Sequence, residues 1–141
     1  MKITSKILSL ACSVAVGSLV ASSISAQERV LNVTNWGEYI AEDTISNFEE
    51  EYGIKVVYDA YDSAEAIDAK LLAGSSGYDV VSHSGGMTAR LIQAGIISPL
   101  DISKLDQLKN VDPAIMGQLA NLWDPGNKHF IPYMWGTHGV T

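Results

Sequence analysis

The stretch "RVLNVTNWGEYIAEDTISNFEEEYGIKVVYDAY", residues 29–61, decides the fold. It opens on a short β-rich run, "RVLNVTNW". It passes through a turn, "NWGEYI" at 35–40, into Asp43–Tyr52, where Ile45, Phe48 and Tyr52 fall at helical spacing. Gly53 follows at the position where a left-handed residue ends a helix. "IKVVYDAY" is a second β-rich run with three β-branched residues. Strand, helix and strand in so short a space predict parallel strands joined by a crossover helix.

The alternation continues downstream. Asp62 and Glu65 stand in capping-box relation at the start of a second helix, whose Ala64, Ile67 and Leu71 share a face and which stops at Gly74. "YDVVSHS" reads as a third strand. "GGMTARLIQAG" reads as a third helix carrying Met87, Leu91 and Ile92 and ended by Gly95. Asp112 and Pro113 read as cap and first residue of a helix to about Leu122. "DPGN" at 124–127 is a turn, and "HFIPYMWGTHGVT" reads as one or two further strands. The fold class is therefore α/β, a parallel-sheet lobe with flanking helices. The β-like run at the end, with no capped or charged finish, is expected to belong to a longer chain.

Residues 1–26 read as a secretory signal peptide: Lys2 and Lys6, an apolar run from about Ile7 to Val20, then small residues up to Ala26. Cleavage there leaves 115 residues and moves the net charge from −7 to −9, because the leader holds two lysines and no acid. Such a surface disfavours nucleic acid and anionic lipid. Cys12, the only cysteine, lies inside the leader, so the mature chain is expected to have no thiol. The competing reading of Cys12 is a lipid-attachment site, which the preceding "SLA" fits poorly.

Ligands of open parallel sheets bind beyond the carboxyl ends of the strands. "NWGEY" and "SHSGG" sit at two such ends. Trp36 and Tyr39 offer aromatic faces that attract cations. Glu38 offers a negative charge, Gly37 an uncovered backbone, and Ser84 a neutral oxygen able to accept from an ammonium. The set suits an organic cation with an alkyl body. The opposing reading makes Trp36 a core plug and Glu38 a solvated turn residue. Catalysis is not expected. "SHSGG" has Ser82 where a nucleophile elbow needs glycine, and His83 on an extended strand would point away from Ser84. Neither a metal site nor a cofactor is expected, and the histidines read as structural.

The segments "NWGEYIAEDTISNFEEEYGIKVVYDAYDS", "AKLLAGSSGYDVV" and "DPGNKHFIPYMWGT" resemble the periplasmic polyamine-binding proteins of bacterial ABC importers. Members carry Asn-Trp, a small residue, an acid and Tyr in the first turn. The resemblance implies two α/β lobes around a ligand cleft, with residues 27–141 forming the first part of lobe 1 and ending near the first hinge crossing. It implies Trp36, Gly37, Glu38, Tyr39 and Ser84 as first-lobe contacts to putrescine or spermidine. It further implies a periplasmic, monomeric protein that hands its ligand to an inner-membrane ABC permease. Members usually have Ser or Thr in place of Gly37, and many have a Pro-Ser pair where this chain has "HSGG". The loss of bulk at Gly85 and Gly86 predicts a less filled wall. A same-fold protein for another small solute, or a fragment without binding activity, remain the alternatives.

Overall fold

The computed structural model describes residues 28–136 and 139. The signal peptide and Cys12 lie outside the described residues. Three parallel strands form the sheet: β1 (Val30–Trp36), β2 (Lys55–Tyr61) and β3 (Val80–Val81), in the order β2-β1-β3. Four α-helices accompany them: α1 (Thr44–Tyr52), α2 (Ala64–Leu72), α3 (Gly85–Gln93) and α4 (Pro113–Leu122). Two 3-10 turns, Ile102–Lys104 and Asp106–Asn110, precede α4. Each strand-to-strand connection holds a helix, as parallel pairing requires.

The helix boundaries follow local chemistry. Gly53 ends α1 in the left-handed conformation (φ 61°), its N–H donating to the Glu49 carbonyl. Such a φ costs glycine little and other residues more. Asp112 caps α4 by accepting from the Ala114 N–H, with Pro113 at the first position. The expected capping box at Asp62 is corrected by one residue. Ser63 is the cap of α2: its hydroxyl accepts from Ala66 N–H and donates to Glu65.

The core sits between α2, α3 and one sheet face. Ile67, Leu71, Met87 and Leu91 are its buried centre, with Tyr61, Tyr78, Val81, Ile96 and Ile97 packed around them. These helical residues recur at intervals of four, so each pair shares one side of its helix. Outside this core, Lys70 bonds Asp59 at 3.3 Å and lies over the Tyr78 ring, tying α2 to β2 and to the approach to β3.

Two expected strands differ. "YDVVSHS" yields only Val80–Val81. Asp79 and Ser82 still donate to the carbonyls of Asn32 and Thr34, but then the chain turns away. The Ser82 carbonyl is taken by the Tyr61 hydroxyl, and the Ser84 N–H by the His83 ring. No strand forms over 129–136. There the N–H groups of His129 and Phe130 are claimed by the Asp124 carboxylate, and Pro132 has none to give.

Candidate functional site

Because β1 lies between β2 and β3, its carboxyl end meets both neighbours. Trp36 and Tyr61 pair in register as the last residues of β1 and β2. Their ring centroids are 4.5 Å apart at 47°. The His83 ring stands edge-on to Trp36 at 6.1 Å and an angle of 85°, and 6.1 Å from Tyr61. Three rings from three segments thus cluster at one end of the sheet. "NWGEY" and "SHSGG" are neighbours, as expected.

The turn after β1 is held by its own polar groups. The Asn35 side chain is 5% exposed; its carbonyl oxygen accepts from the Trp36 N–H at 2.8 Å and its amide donates to the Tyr39 carbonyl. The Gly37 N–H donates to the Tyr61 carbonyl at 2.9 Å. A Cβ at Gly37 would sit 3.9 Å from that same oxygen, an ordinary contact. Gly37 is therefore not demanded by packing. The left-handed residue of the turn is Glu38, at φ 62°. A non-glycine side chain there stores about 1–2 kcal/mol of strain. Glu38 is exposed, as is Tyr39 at 44%. The hydroxyl of Tyr133 donates to the Tyr39 carbonyl from far along the chain.

The second loop is built around His83, whose side chain is 2% exposed. Its Nε2 lies 2.5 Å from Asp68 Oδ1 on α2. Its Nδ1 accepts the Ser84 N–H at 2.7 Å. An accepting Nδ1 carries no proton, so Nε2 holds it and donates to Asp68. The expectation that His83 points away from Ser84 is corrected in part: the ring folds back onto the Ser84 backbone. Ser84 occupies the N-cap position of α3 with extended backbone, yet its hydroxyl caps nothing. A capping serine ordinarily contributes about 1 kcal/mol, which is forgone here and leaves the hydroxyl available.

The wall at Gly85 is not empty. A Cβ on Gly85 would fall 2.2 Å from Cε3 and 2.4 Å from Cζ3 of Trp123, and one on Gly86 would lie 4.0 Å from its Nε1. The indole of Trp123 fills the space left by the missing side chains and corrects the less filled wall expected from "HSGG". Trp123 is 38% exposed. It is positioned at the end of α4, its N–H on the Leu119 carbonyl at 2.9 Å. Next to it, Asp124 is 1% exposed and accepts from His129 Nδ1 and from the N–H groups of His129 and Phe130. Burial raises the Asp124 pKa, but these bonds outweigh it and hold the carboxyl below its ordinary value. Burial, helped by the Asp68 charge, pushes the Tyr61 hydroxyl up to about 12.

Tyr61, Trp123 and Tyr133 were not among the candidate residues. Tyr61 had a signal in its place at the end of a β-run beside the tryptophan turn. Trp123 and Tyr133 had none, because their partners are distant in sequence. Among the described residues no group of three or more His, Cys, Asp or Glu is placed to hold a metal ion. An open depression lined by Arg29, Val30, Leu31 and Ile54 lies at the other, amino-terminal end of the strands.

Comparison with known proteins gives this geometry a setting. The family model described as bacterial extracellular solute-binding protein matches residues 32–141. The chain is 52% identical over 124 residues to the putrescine-binding periplasmic protein SpuD of Pseudomonas aeruginosa (strain UCBPP-PA14), covering 88% of this chain and 34% of that protein. It is 47% identical over 127 residues to the putrescine-binding periplasmic protein PotF of Escherichia coli (strain K12), again covering 88% and 34%. The chain thus spans about a third of the length of these relatives. Among solved structures, it superposes on the spermidine/putrescine ABC transporter substrate-binding protein PotD of Streptococcus pneumoniae with a TM-score of 0.71. That match has 38% identity and covers 77% of this chain and 33% of that one. A spermidine/putrescine transporter protein of Listeria monocytogenes gives a TM-score of 0.72 at 37% identity, with the same coverage. A match over residues 32–141, joined to relatives of this similarity, makes the chain a member of the bacterial extracellular solute-binding protein family.

Proposed function

We propose that this chain is the opening part of a periplasmic solute-binding protein that captures putrescine or spermidine for an ABC importer. The observation that carries the reading is the sheet end itself. Trp36 lies against Tyr61, the strained acidic Glu38 is one residue beyond Gly37, and the uncommitted Ser84 hydroxyl sits on the adjacent loop. The loops 36–39 and 82–86 contain no lysine or arginine. Left-handed non-glycine residues cluster at ligand clamps, and Glu38 is the one such residue in these two loops, Ser75 and Asn127 lying elsewhere. The aromatic faces attract an ammonium and pack its methylenes, Glu38 pairs with its charge, and Ser84 accepts one of its hydrogens. Gly37 and Tyr39 complete the wall, the former by leaving the backbone open. The relatives SpuD and PotF are putrescine-binding periplasmic proteins, which supports the same ligand class.

In this reading residues 1–26 are a cleaved leader and residues 27–141 are the first part of lobe 1. A second lobe closes the cleft, and the loaded monomer docks on an inner-membrane permease. Closure matters because an ion pair at 4 Å is worth about 1 kcal/mol in water and several times more where water is excluded. The test is calorimetric titration of the full-length protein with putrescine, spermidine, spermine and an anionic control. Binding of the amines alone is expected. Amines that give no heat, beside another small solute that binds, would overturn the ligand class and leave the family intact.

A further inference from the structure

Resting on the amine-binding reading above, we infer that His83 is a positioning residue for the ligand wall: its neutral imidazole, anchored on Asp68, fixes the Ser84 backbone and braces Trp36. His83 spends both ring nitrogens. One takes the Ser84 N–H at 2.7 Å, the other reaches Asp68 at 2.5 Å. A histidine that merely filled the core would need neither bond to end on a wall residue. The same ring stands nearly perpendicular to Trp36, with centroids 6.1 Å apart at 85°. An edge-to-face contact of this kind favours one ring orientation over others. One buried side chain therefore touches an aromatic on one loop and fixes the Ser84 backbone on the other.

The anchor is rigid. Asp68 lies in α2 directly after Ile67, which is 4% exposed, and one turn before Leu71, which is 2% exposed. The packed face of α2 thus fixes the point from which the imidazole reaches across. Its other contacts are accounted for. Tyr61 faces the ring from β2, and its hydroxyl is committed to the Ser82 carbonyl. The effect at Ser84 is specific. Its N–H is taken by His83 Nδ1, while its hydroxyl is left without a capping role. With the N–H engaged, the hydroxyl is the Ser84 group left for a ligand, and its oxygen can accept from a primary ammonium.

The experiment uses the full-length protein labelled with ¹⁵N-histidine, with His83→Phe and His83→Asn as variants. Phenylalanine keeps the ring against Trp36 and loses both hydrogen bonds. Asparagine restores an acceptor near the place of Nδ1. The His83 signal, identified by its loss in His83→Phe, is expected to show a proton on Nε2 and a bare Nδ1. His83→Phe should bind putrescine about five- to tenfold more weakly, the loss of about one hydrogen bond. His83→Asn should recover most of that affinity. Ligand-free melting curves separate affinity from stability: a purely structural His83 would lower the melting temperature and leave the affinity of the folded protein unchanged. A proton on Nδ1, or wild-type putrescine affinity in His83→Phe, overturns the inference. If the wild type binds no amine, the ligand reading fails, and the clamp is judged on coupling between the Ser84 N–H and Nδ1. Its presence upholds the clamp and its absence overturns it.

Discussion

Trp36 and Tyr61 end adjacent parallel strands on the same rung, with ring centroids 4.5 Å apart. The register makes them neighbours, and the two rings pack at a tilt of 47°. The Tyr61 hydroxyl reaches on to the Ser82 carbonyl. The pair links the ends of all three strands.

Tyr61 is a half-buried acid with its pKa raised to about 12, chiefly by burial. In the unfolded chain a tyrosine ionises near 10. The neutral form is the one the fold favours, so its contribution is complete below pH 10 and is lost as pH rises from 10 through about 12. Wild type is expected to lose stability over that window more steeply than Tyr61→Phe. Melting temperatures of the two proteins between pH 9 and 12 make the comparison; parallel curves would refute it.

Asp124 gives the opposite dependence. Its burial is outweighed by the bonds from His129, Phe130 and Lys128, which hold its pKa below the ordinary 3.8. The unfolded chain takes up its proton first as pH falls, so the stabilisation is present above about pH 4 and lost below it. Asp124→Asn should flatten the acid limb of a stability profile recorded from pH 6 to 2.5. It should also destabilise at pH 7, since the buried N–H groups lose a charged acceptor worth about 1.5–3 kcal/mol.

Glu38 joins strain to charge. Glu38→Gln keeps the shape and removes the charge. Amine affinity should fall about ten- to a hundredfold, the equivalent of about 1.5–3 kcal/mol. Glu38→Gly removes the charge and the strain together. Its relief of about 1–2 kcal/mol is partly offset by the greater freedom of glycine when unfolded, leaving a gain of about 0.5–1 kcal/mol. The expected signature is a more stable protein that binds amines less well. Equal affinity in all three proteins would make Glu38 a solvated turn residue.

Gly85 is tied to Trp123. Gly85→Ala places a methyl 2.2 Å from the indole, so the ring must leave its seat. A cost of about 1–3 kcal/mol is expected, as for other overpacked sites. In a Trp123→Ala background the same substitution should cost almost nothing. Denaturant unfolding of the two single variants and the double variant measures the coupling; additive effects would show that the indole is not what constrains position 85.

Much of the fold is legible because periodicity is local. Ile67 and Leu71, and Met87 and Leu91, are spaced for one helix face, and they form the buried centre. Asp112–Pro113 announces α4 because capping needs only neighbours in sequence. The legible part of the site is its placement, two loops at strand ends. What stayed hidden depends on contacts across the chain. Trp123 takes the space beside Gly85 from 38 residues away, and Tyr61 joins Trp36 only through the strand register. Residues 129–136 have a strand-like composition, but a buried carboxylate 5 residues before His129 claims the hydrogens a ladder would use.

The bond from the Tyr133 hydroxyl to the Tyr39 carbonyl spans 94 positions of the chain. At a synthesis rate of about 5–20 residues per second, that separation corresponds to a delay of roughly 5 to 20 s. The tryptophan turn is thus among the first parts of the described chain to be made and among the last to be fastened. Until Tyr133 arrives, the Tyr39 carbonyl has only the long 3.4 Å bond from Asn35 to hold it. A nascent chain shorter than 133 residues therefore carries the Trp36–Tyr39 turn without the fastening that Tyr133 supplies.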